Sequence, residues 1–286
     1  MKPMLCHRYK SHKNRIKYPC YVQPKLNGVR AIFTLQEVNF RQWQTHSRAT
    51  KETRYWAPNI LRHLTERLEK ALPKDKDIIL DGELYHHGWP LQRIASAVSW
   101  NREEPSTATI DIEYHVFDFV VDLPMSDRAE ALNQFSSVYP HVVPTHLISS
   151  KSSAEHYYTR WKRQGYEGMI YRQTDAPYGF LDRCGNKENR WDYMIKRKDF
   201  ASDEFTIVGV KEEYDQFSRP KDRCGALVLE TETGQTFSAG SGLSDEQRHR
   251  YWRERPIGLL ATIEFEIYSE GGVPLQPRVQ QVHEIN

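Results

Sequence analysis

Lys25 stands in the stretch QPKLNGVR, with the turn-forming pair Asn27-Gly28 just behind it and Arg30 five residues on. A lysine amine is a nucleophile only when it has lost its proton, and neighbouring cations or desolvation favour that loss. Taken alone the stretch supports two readings. One is a hairpin turn carrying two solvated cations, since Asn-Gly between apolar runs is a strong two-residue turn signal. The other is a nucleophilic lysine held on a rigid turn facing a phosphate. Four other stretches place polar residues where a buried strand prefers apolar ones: Glu83 closes IILDGEL, Phe117-Asp118 interrupts IEYHVFDFVV, Glu167 opens EGMIYR, and Lys196 and Lys198 alternate in MIKRK. Residues two apart on a strand share a face, so the two lysines act on one side. Singly, these are strand-end carboxylates in water, an edge aspartate and a solvated lysine face. Together they meet the needs of a nucleotide site. Lys196, Lys198 and Mg²⁺ supply positive charge where an attacked α-phosphate develops negative charge. Acidic strand ends give magnesium hard oxygen ligands, and an aromatic plane suits a base.

The elements that would hold these groups follow from the apolar periodicity. APNILRHLTERLEKAL carries Leu61, Leu64, Leu68 and Leu72 at helical spacing. PLQRIASAV, DRAEALNQF and SSAEHYYTRWKRQG also read as helices, the last with a serine cap and a stop at Gly165. YVQPK, VRAIFTLQ, DIILDGELY, IEYHVFDFVV, EGMIYR and MIKRK read as strands. After about residue 200 the pattern changes to five short strands and one helix, SDEQRHRYWRER, which suits a small Greek-key barrel of the OB type. The expected architecture is α+β: a domain over 1–200 with antiparallel sheets, flanking helices and a basic N-terminal arm, then an OB-fold β-barrel over 201–286.

A length of 286 residues accommodates two such cores, and 12% aromatics argue for folding despite a mean hydropathy of −0.74. Cys6, Cys20, Cys184 and Cys224 form no CxxC pair, which excludes a zinc module or a disulfide framework and fits a reducing compartment. No apolar run reaches the roughly 18 residues of a membrane span, and the N-terminus has no secretory core. A cytoplasmic protein is expected. Residues 201–286 hold 9 Lys/Arg against 15 Asp/Glu, whereas residues 1–200 hold 31 against 23. The first thirty residues alone contain eight cations and no acid. That asymmetry favours a polyanionic partner such as nucleic acid.

In order along the chain, Lys25-Leu26-Asn27-Gly28-Val29-Arg30 resembles motif I of the covalent nucleotidyltransferases (KxDGxR) and Ser47-Arg48 resembles motif Ia. Asp81-Gly82-Glu83 resembles motif III, Val116-Phe117-Asp118 motif IIIa, Glu167-Gly168-Met169-Ile170 motif IV, and Met194-Ile195-Lys196-Arg197-Lys198 motif V. Six ordered motifs, running from about Tyr21 to the C-terminus with the OB-like region, are most similar to the minimal two-domain ATP-dependent DNA ligases of phages and bacteria. The resemblance implies that Lys25 takes AMP from ATP, that Lys196 and Lys198 hold the α-phosphate, and that Arg30 and Arg48 contact the nucleotide or the nick phosphate. It further implies Glu83 on the ribose, Phe117 stacked on adenine, Gln23 at a base-reading position, and Glu167 with Glu83 as ligands of Mg²⁺ (Mn²⁺ as the alternative). Nicked duplex DNA would be the partner, sealed by a monomer without a protein partner. Arg41, Arg48, Lys51, Arg54 and, in the barrel, Arg219, Lys221 and Arg223 would meet phosphates, together with the N-terminal arm. Two positions depart from the pattern: Asn27 replaces the usual Asp, and PRVQQVHEIN offers Arg278 and His283 in place of the RxDK-like cluster of motif VI. RNA ligases and mRNA guanylyltransferases share the lysine, but LQRIASAV and GSGLSDEQR favour a DNA ligase. A binder that kept the scaffold and lost the chemistry is the remaining alternative, since fold alone does not fix function. His86-His87 has no partners at metal-ligand spacing.

Overall fold

The structure is a computed structural model that describes residues 3–36, 42–47, 54–72, 77–135, 139–179, 190–269 and 271–283. The chain divides into two compact units, Met1–Lys198 and Asp199–Asn286.

The first unit runs β1 (Leu5–Arg8), α1 (Tyr9–His12), β2 (Cys20–Lys25), β3 (Val29–Gln36), β4 (Gln42–Ser47), α2 (Arg62–Ala71), β5 (Ile78–Tyr85) and α3 (Leu91–Ala97). It continues with α4 (Thr107–Ile110), β6 (Glu113–Phe119), α5 (Met125–Asn133), β7 (His141–Val142), β8 (His146–Ile148), α6 (Lys151–Arg163), β9 (Gly168–Gln173) and β10 (Arg190–Lys198). Helix α2 forms where the leucine periodicity places it, and Leu61, Leu64, Leu68 and Leu72 are all buried. Ser150 caps α6 by accepting from the Ser153 amide at 3.2 Å, and Gly165, at φ +87°, turns the chain into β9.

The strands form two five-stranded sheets, β1-β10-β9-β2-β8 and β4-β3-β5-β6-β7. Most pairs are antiparallel, as expected, but β1 runs parallel to β10 and β6 parallel to β7. The Asn27-Gly28 turn is not a hairpin. Strand β2 lies in the first sheet between β9 and β8, while β3 lies in the second between β4 and β5. Residues 26–28 therefore carry the chain from one sheet to the other. Gly28 is needed for close approach: a Cβ there would lie 2.3 Å from the Leu84 carbonyl oxygen and 2.8 Å from Glu83 Cγ.

Each sheet is covered by helices on one face. Cys20, Val22, Met169, Tyr171 and Ile195 of the first sheet pack with Ala154, Tyr158 and Trp161 of α6. Ala31, Phe33, Leu80, Leu84, Tyr114 and Val116 of the second pack with Leu64 and Leu68 of α2 and Ile94 of α3. The strand alternation turns Gln23, Lys25, Ile170, Lys196 and Lys198 to the other side of the first sheet, and Arg30, Asp81 and Glu83 to the other side of the second. Those two faces bound the cleft described below.

The second unit contains β11 (Ala201–Tyr214), β12 (Pro220–Glu230), β13 (Thr236–Ala239), α7 (Asp245–Glu254), β14 (Leu260–Phe265) and β15 (Arg278–Val282). The strands pair antiparallel in the order β13-β12-β11-β14-β15 around Ile207, Leu227, Leu229, Ala261 and Ile263. The sheet curls so that Ser241, just past β13, bridges Arg278 at the start of β15. A capping box between Ser244 and Gln247 starts α7. Arg248 ties that helix to the sheet through the carbonyls of Cys224, Gly225 and Gly240, at 2.6 to 2.9 Å.

Candidate active site

Lys25 ends β2 at the point where the chain leaves the first sheet. Its carbonyl accepts from the Glu167 amide at 3.0 Å, which fixes motif I against the start of β9. The Lys25 ammonium donates to Glu167 Oε2 and, at 3.3 Å, to the Leu26 carbonyl. Lys198 approaches the other carboxylate oxygen of Glu167 at 3.1 Å. Burial alone would raise the Glu167 carboxyl, but Lys25 and Lys198 outweigh it and hold the group below its ordinary value. Burial lowers Lys198 to about 8, against the opposing pull of Glu167 and with the help of Lys25 and Lys196. One carboxylate thus serves two ammonium groups.

A cavity in front of this trio is lined by Gln23, Lys25, Arg30, Glu83, Phe117 and Lys196, with Ile170 and Met194 as apolar wall. Glu83 is the register partner of Arg30 on β3 and of His115 on β6. Burial pushes its carboxyl up to about 7, although Lys25 and Arg30 pull the other way. The structure therefore gathers Gln23, Lys25, Arg30, Glu83, Phe117 and Lys196 around one space, with Glu167 bonded directly to Lys25 and Lys198 paired to that carboxylate.

Three expected roles meet different surroundings. The Arg30 guanidinium forks onto Asp81, with Nε to Oδ1 at 2.8 Å, and lies 5.2 Å from the Phe117 ring centroid. Asp81 also accepts from the Tyr178 hydroxyl at 2.6 Å. Arg30 is thus largely neutralised by its own sheet before any phosphate arrives. Asp118 is not an edge residue: it is fully buried, faces Asp81 across the ladder, and is paired with Arg128 and Arg172. Gln23 is buried and hydrogen-bonded within the protein.

Arg41, Arg48 and Lys51 lie outside the described residues. Arg54 is exposed, and its carbonyl accepts from the Ser47 amide at 3.0 Å. In the second unit the expected basic patch is electrically balanced. Arg219 pairs with Asp215, Lys221 with Glu213, and Arg223 with both Glu213 and Asp245. Hydrogen bonds from Arg223 and Lys221 depress Glu213 to about 2. Leu5 and Cys6 of the N-terminal arm line the cavity of Lys25, and from Tyr9 onward the arm lies on the α6 side of the first sheet. There Tyr9 stacks on Tyr171 at 5.7 Å, and Arg197 lies over Tyr9 and Tyr158. His283 contacts Thr262 at 2.7 Å within its own unit. His87 bonds the Tyr85 hydroxyl and His86 stacks on Trp89, and the described residues include no cluster of three His, Cys, Asp or Glu suited to a metal.

Several contributors carry no sequence signal of their own. Leu5 and Cys6 reach the cavity because β1 runs beside β10, with Arg8 opposite Lys196. Arg172 and Arg128 act from positions that read as ordinary strand and helix residues.

A half-buried lysine–carboxylate–lysine trio beside a cavity lined by Phe117, followed by an OB-like unit, defines a nucleotidyltransferase fold. The chain belongs to the ATP-dependent DNA ligase family: residues 3–192 match the family model of the ATP-dependent DNA ligase domain, and residues 218–282 match that of the DNA ligase OB-like domain. A DNA ligase of African swine fever virus is 28% identical over 278 residues, covering 90% of this chain. The chain spans 62% of the length of that relative. Among solved structures, one described as "Pmar-Lig_Pre." superposes with a TM-score of 0.81 at 21% identity, over 100% of this chain and 68% of the other. A second, described as "DNA binding with a minimal scaffold: Structure-function analysis of Lig E DNA ligases", superposes with a TM-score of 0.73 at 21% identity, over 99% of both chains. These two likenesses establish the fold.

Proposed function

We propose that this protein is an ATP-dependent DNA ligase that joins a 5′-phosphate to a 3′-hydroxyl at a nick in duplex DNA. The observation that carries the reading is the Lys25 ammonium, held on Glu167 and lining one cavity with Glu83, Phe117 and Lys196. In the first step the Lys25 nitrogen attacks the α-phosphorus of ATP; the N–P bond forms, the bond to pyrophosphate breaks, and the lysine proton leaves. Lys196 and Lys198 face that phosphate from one side of β10 and stabilise its developing charge. Glu83 accepts from ribose hydroxyls, and the Phe117 ring covers the base. AMP then passes to the 5′-phosphate of a nick. The 3′-hydroxyl attacks that phosphate and expels AMP, now a good leaving group.

The residues present fit a magnesium ion. Two carboxylates, Glu167 and Glu83, border the lysine, and a Mg²⁺ ion completes its shell with water and phosphate oxygens and needs no protein cage. When bound it would neutralise phosphate charge, and Mn²⁺ would accept the same oxygen donors.

The test is the intact mass of the purified protein before and after incubation with ATP and Mg²⁺. The expected result is the added mass of one AMP, absent with GTP and absent in Lys25→Ala, and removed again by a nicked duplex. No adduct from ATP would sink the ligase reading and favour a binder that kept the scaffold. An adduct formed from GTP would favour a capping-type enzyme.

A further inference from the structure

Phe117 occupies the irregular position of β6. Asp118 lies opposite Asp81 and Val116 opposite Gly82, so Phe117 is the extra residue of a β-bulge. A bulge bends its strand and re-aims a side chain, and it leaves the extra residue without ladder partners. The Phe117 carbonyl is satisfied from the first sheet instead: Gln23 Nε2 donates to it at 2.9 Å and Arg172 Nη1 at 3.2 Å. Arg172 continues through Nη2 to Asp118, the next residue, so one guanidinium grips both sides of the bulge.

The state of Gln23 follows from the same contacts. Its second N–H donates to Thr145 Oγ1 at 2.9 Å, and its Oε1 accepts from Arg172 Nη1 at 3.3 Å. Only one amide orientation satisfies this set, because a flip would put oxygen against the Phe117 carbonyl and NH₂ against the guanidinium. Both donors are spent. The oxygen, the atom that would accept from a base amino group, is turned to Arg172. With 2% of its surface exposed, Gln23 borders the cavity but presents little to it.

We infer that Gln23 and Arg172 are positioning residues that act through Phe117: they clamp the bulge carbonyl and thereby hold the ring that stacks on the nucleotide base. Gln23 does not read the base edge. The inference rests on the nucleotide-site reading above and assigns the base-side affinity to a stacking surface fixed from behind.

Removing Arg172 would take one of its two arginine partners from the fully buried Asp118 and threaten folding, so Gln23 is the position to vary. ATP dissociation constants are measured by calorimetry in a Lys25→Ala background, where no chemistry intervenes, for Gln23→Ala, Gln23→Glu, Phe117→Ala and the Gln23→Ala/Phe117→Ala pair. Each alanine variant is expected to weaken ATP about tenfold, the scale of one lost base–aromatic stack. The double variant should be no worse than Phe117→Ala alone. Gln23→Glu should be as poor as Gln23→Ala, since a carboxylate cannot donate to the Phe117 carbonyl. Multiplying effects in the double variant, or wild-type affinity in Gln23→Glu, would overturn the clamp in favour of base reading. Loss of thermal stability with unchanged affinity would also overturn it. ATP binding without a covalent adduct in the wild-type protein would refute the ligase reading while the clamp is still read from affinities. Absence of any ATP binding would refute both.

Discussion

The cost of the site is concentrated in single side chains, and Glu83 shows it. Its carboxyl, ordinarily near 4.5, is raised to about 7 by burial, with Lys25 and Arg30 opposing. Between those values the folded protein binds the proton and the unfolded chain does not. Stability therefore falls as pH climbs from 4.5 to 7, and the loss is fully present above 7. Glu83→Gln removes the charge and keeps the shape. It should stabilise the protein at pH 8 by about 1–3 kcal/mol in urea unfolding and by little at pH 4.5. Self-adenylation should fall in the same variant, because an amide is a weaker acceptor for ribose hydroxyls than a carboxylate. Equal stabilisation at both pH values would show that Glu83 is not held against burial. Glu167 is the contrasting case: burial opposes its charge too, but Lys25 and Lys198 outweigh burial and it stays ionised. Two glutamates border one lysine, and their partners set their protonation apart.

At the scale of elements, the link from β2 to β3 is the tightest joint in the first unit. A methyl at Gly28 would press on the Leu84 carbonyl and on Glu83 Cγ, so the link could not pass over β5 there without a shift. Gly28→Ala is expected to destabilise the protein by about 1–3 kcal/mol, the range for overpacking. It should also weaken ATP binding, since the displaced group is Glu83 itself. Loss of stability with unaltered ATP affinity would separate the joint from the site. This joint also marks the limit of what the sequence made legible. Lys25, Glu83, Glu167, Lys196 and Lys198 could be read because each is a polar residue in an apolar strand, and the period of two set the lysines on one face. That β2 and β3 belong to different sheets could not be read, because Asn-Gly between two strands has the same local chemistry in a hairpin and in a crossover. The bulge at Phe117 was hidden for a related reason: an extra residue breaks the alternation from which faces are inferred. Asp118 then looked like an edge residue, although Arg128 and Arg172, distant in sequence, supply its charge partners.

On the scale of the whole molecule, net charge separates the two units. Residues 1–198 carry 31 Lys/Arg and 22 Asp/Glu, and residues 199–286 carry 9 and 16. Phosphate neutralisation dominates duplex affinity and makes it fall with salt, each phosphate contact adding to the slope of log K against log salt. The first unit should therefore supply most of that slope. The cations of the second unit that looked suitable from sequence are already committed, as Arg219 is to Asp215 at 2.8 Å. Binding of a nicked duplex measured across a salt series should separate the two. Arg54→Ala, at an exposed position just past β4, is expected to reduce the slope by about one. Arg219→Ala should leave it unchanged, because the Arg219–Asp215 pair carries no net charge for DNA to neutralise. A Lys13→Ala change in the N-terminal arm should act like Arg219→Ala, since the segment of the arm that follows Tyr9 is anchored on the α6 face of the first sheet, opposite the face that carries Lys25. The opposite pattern, with Arg54 silent and Lys13 or Arg219 carrying the slope, would mean that the duplex follows a path other than the Lys25 face. The charge excess of the first unit would then serve a contact remote from the nick.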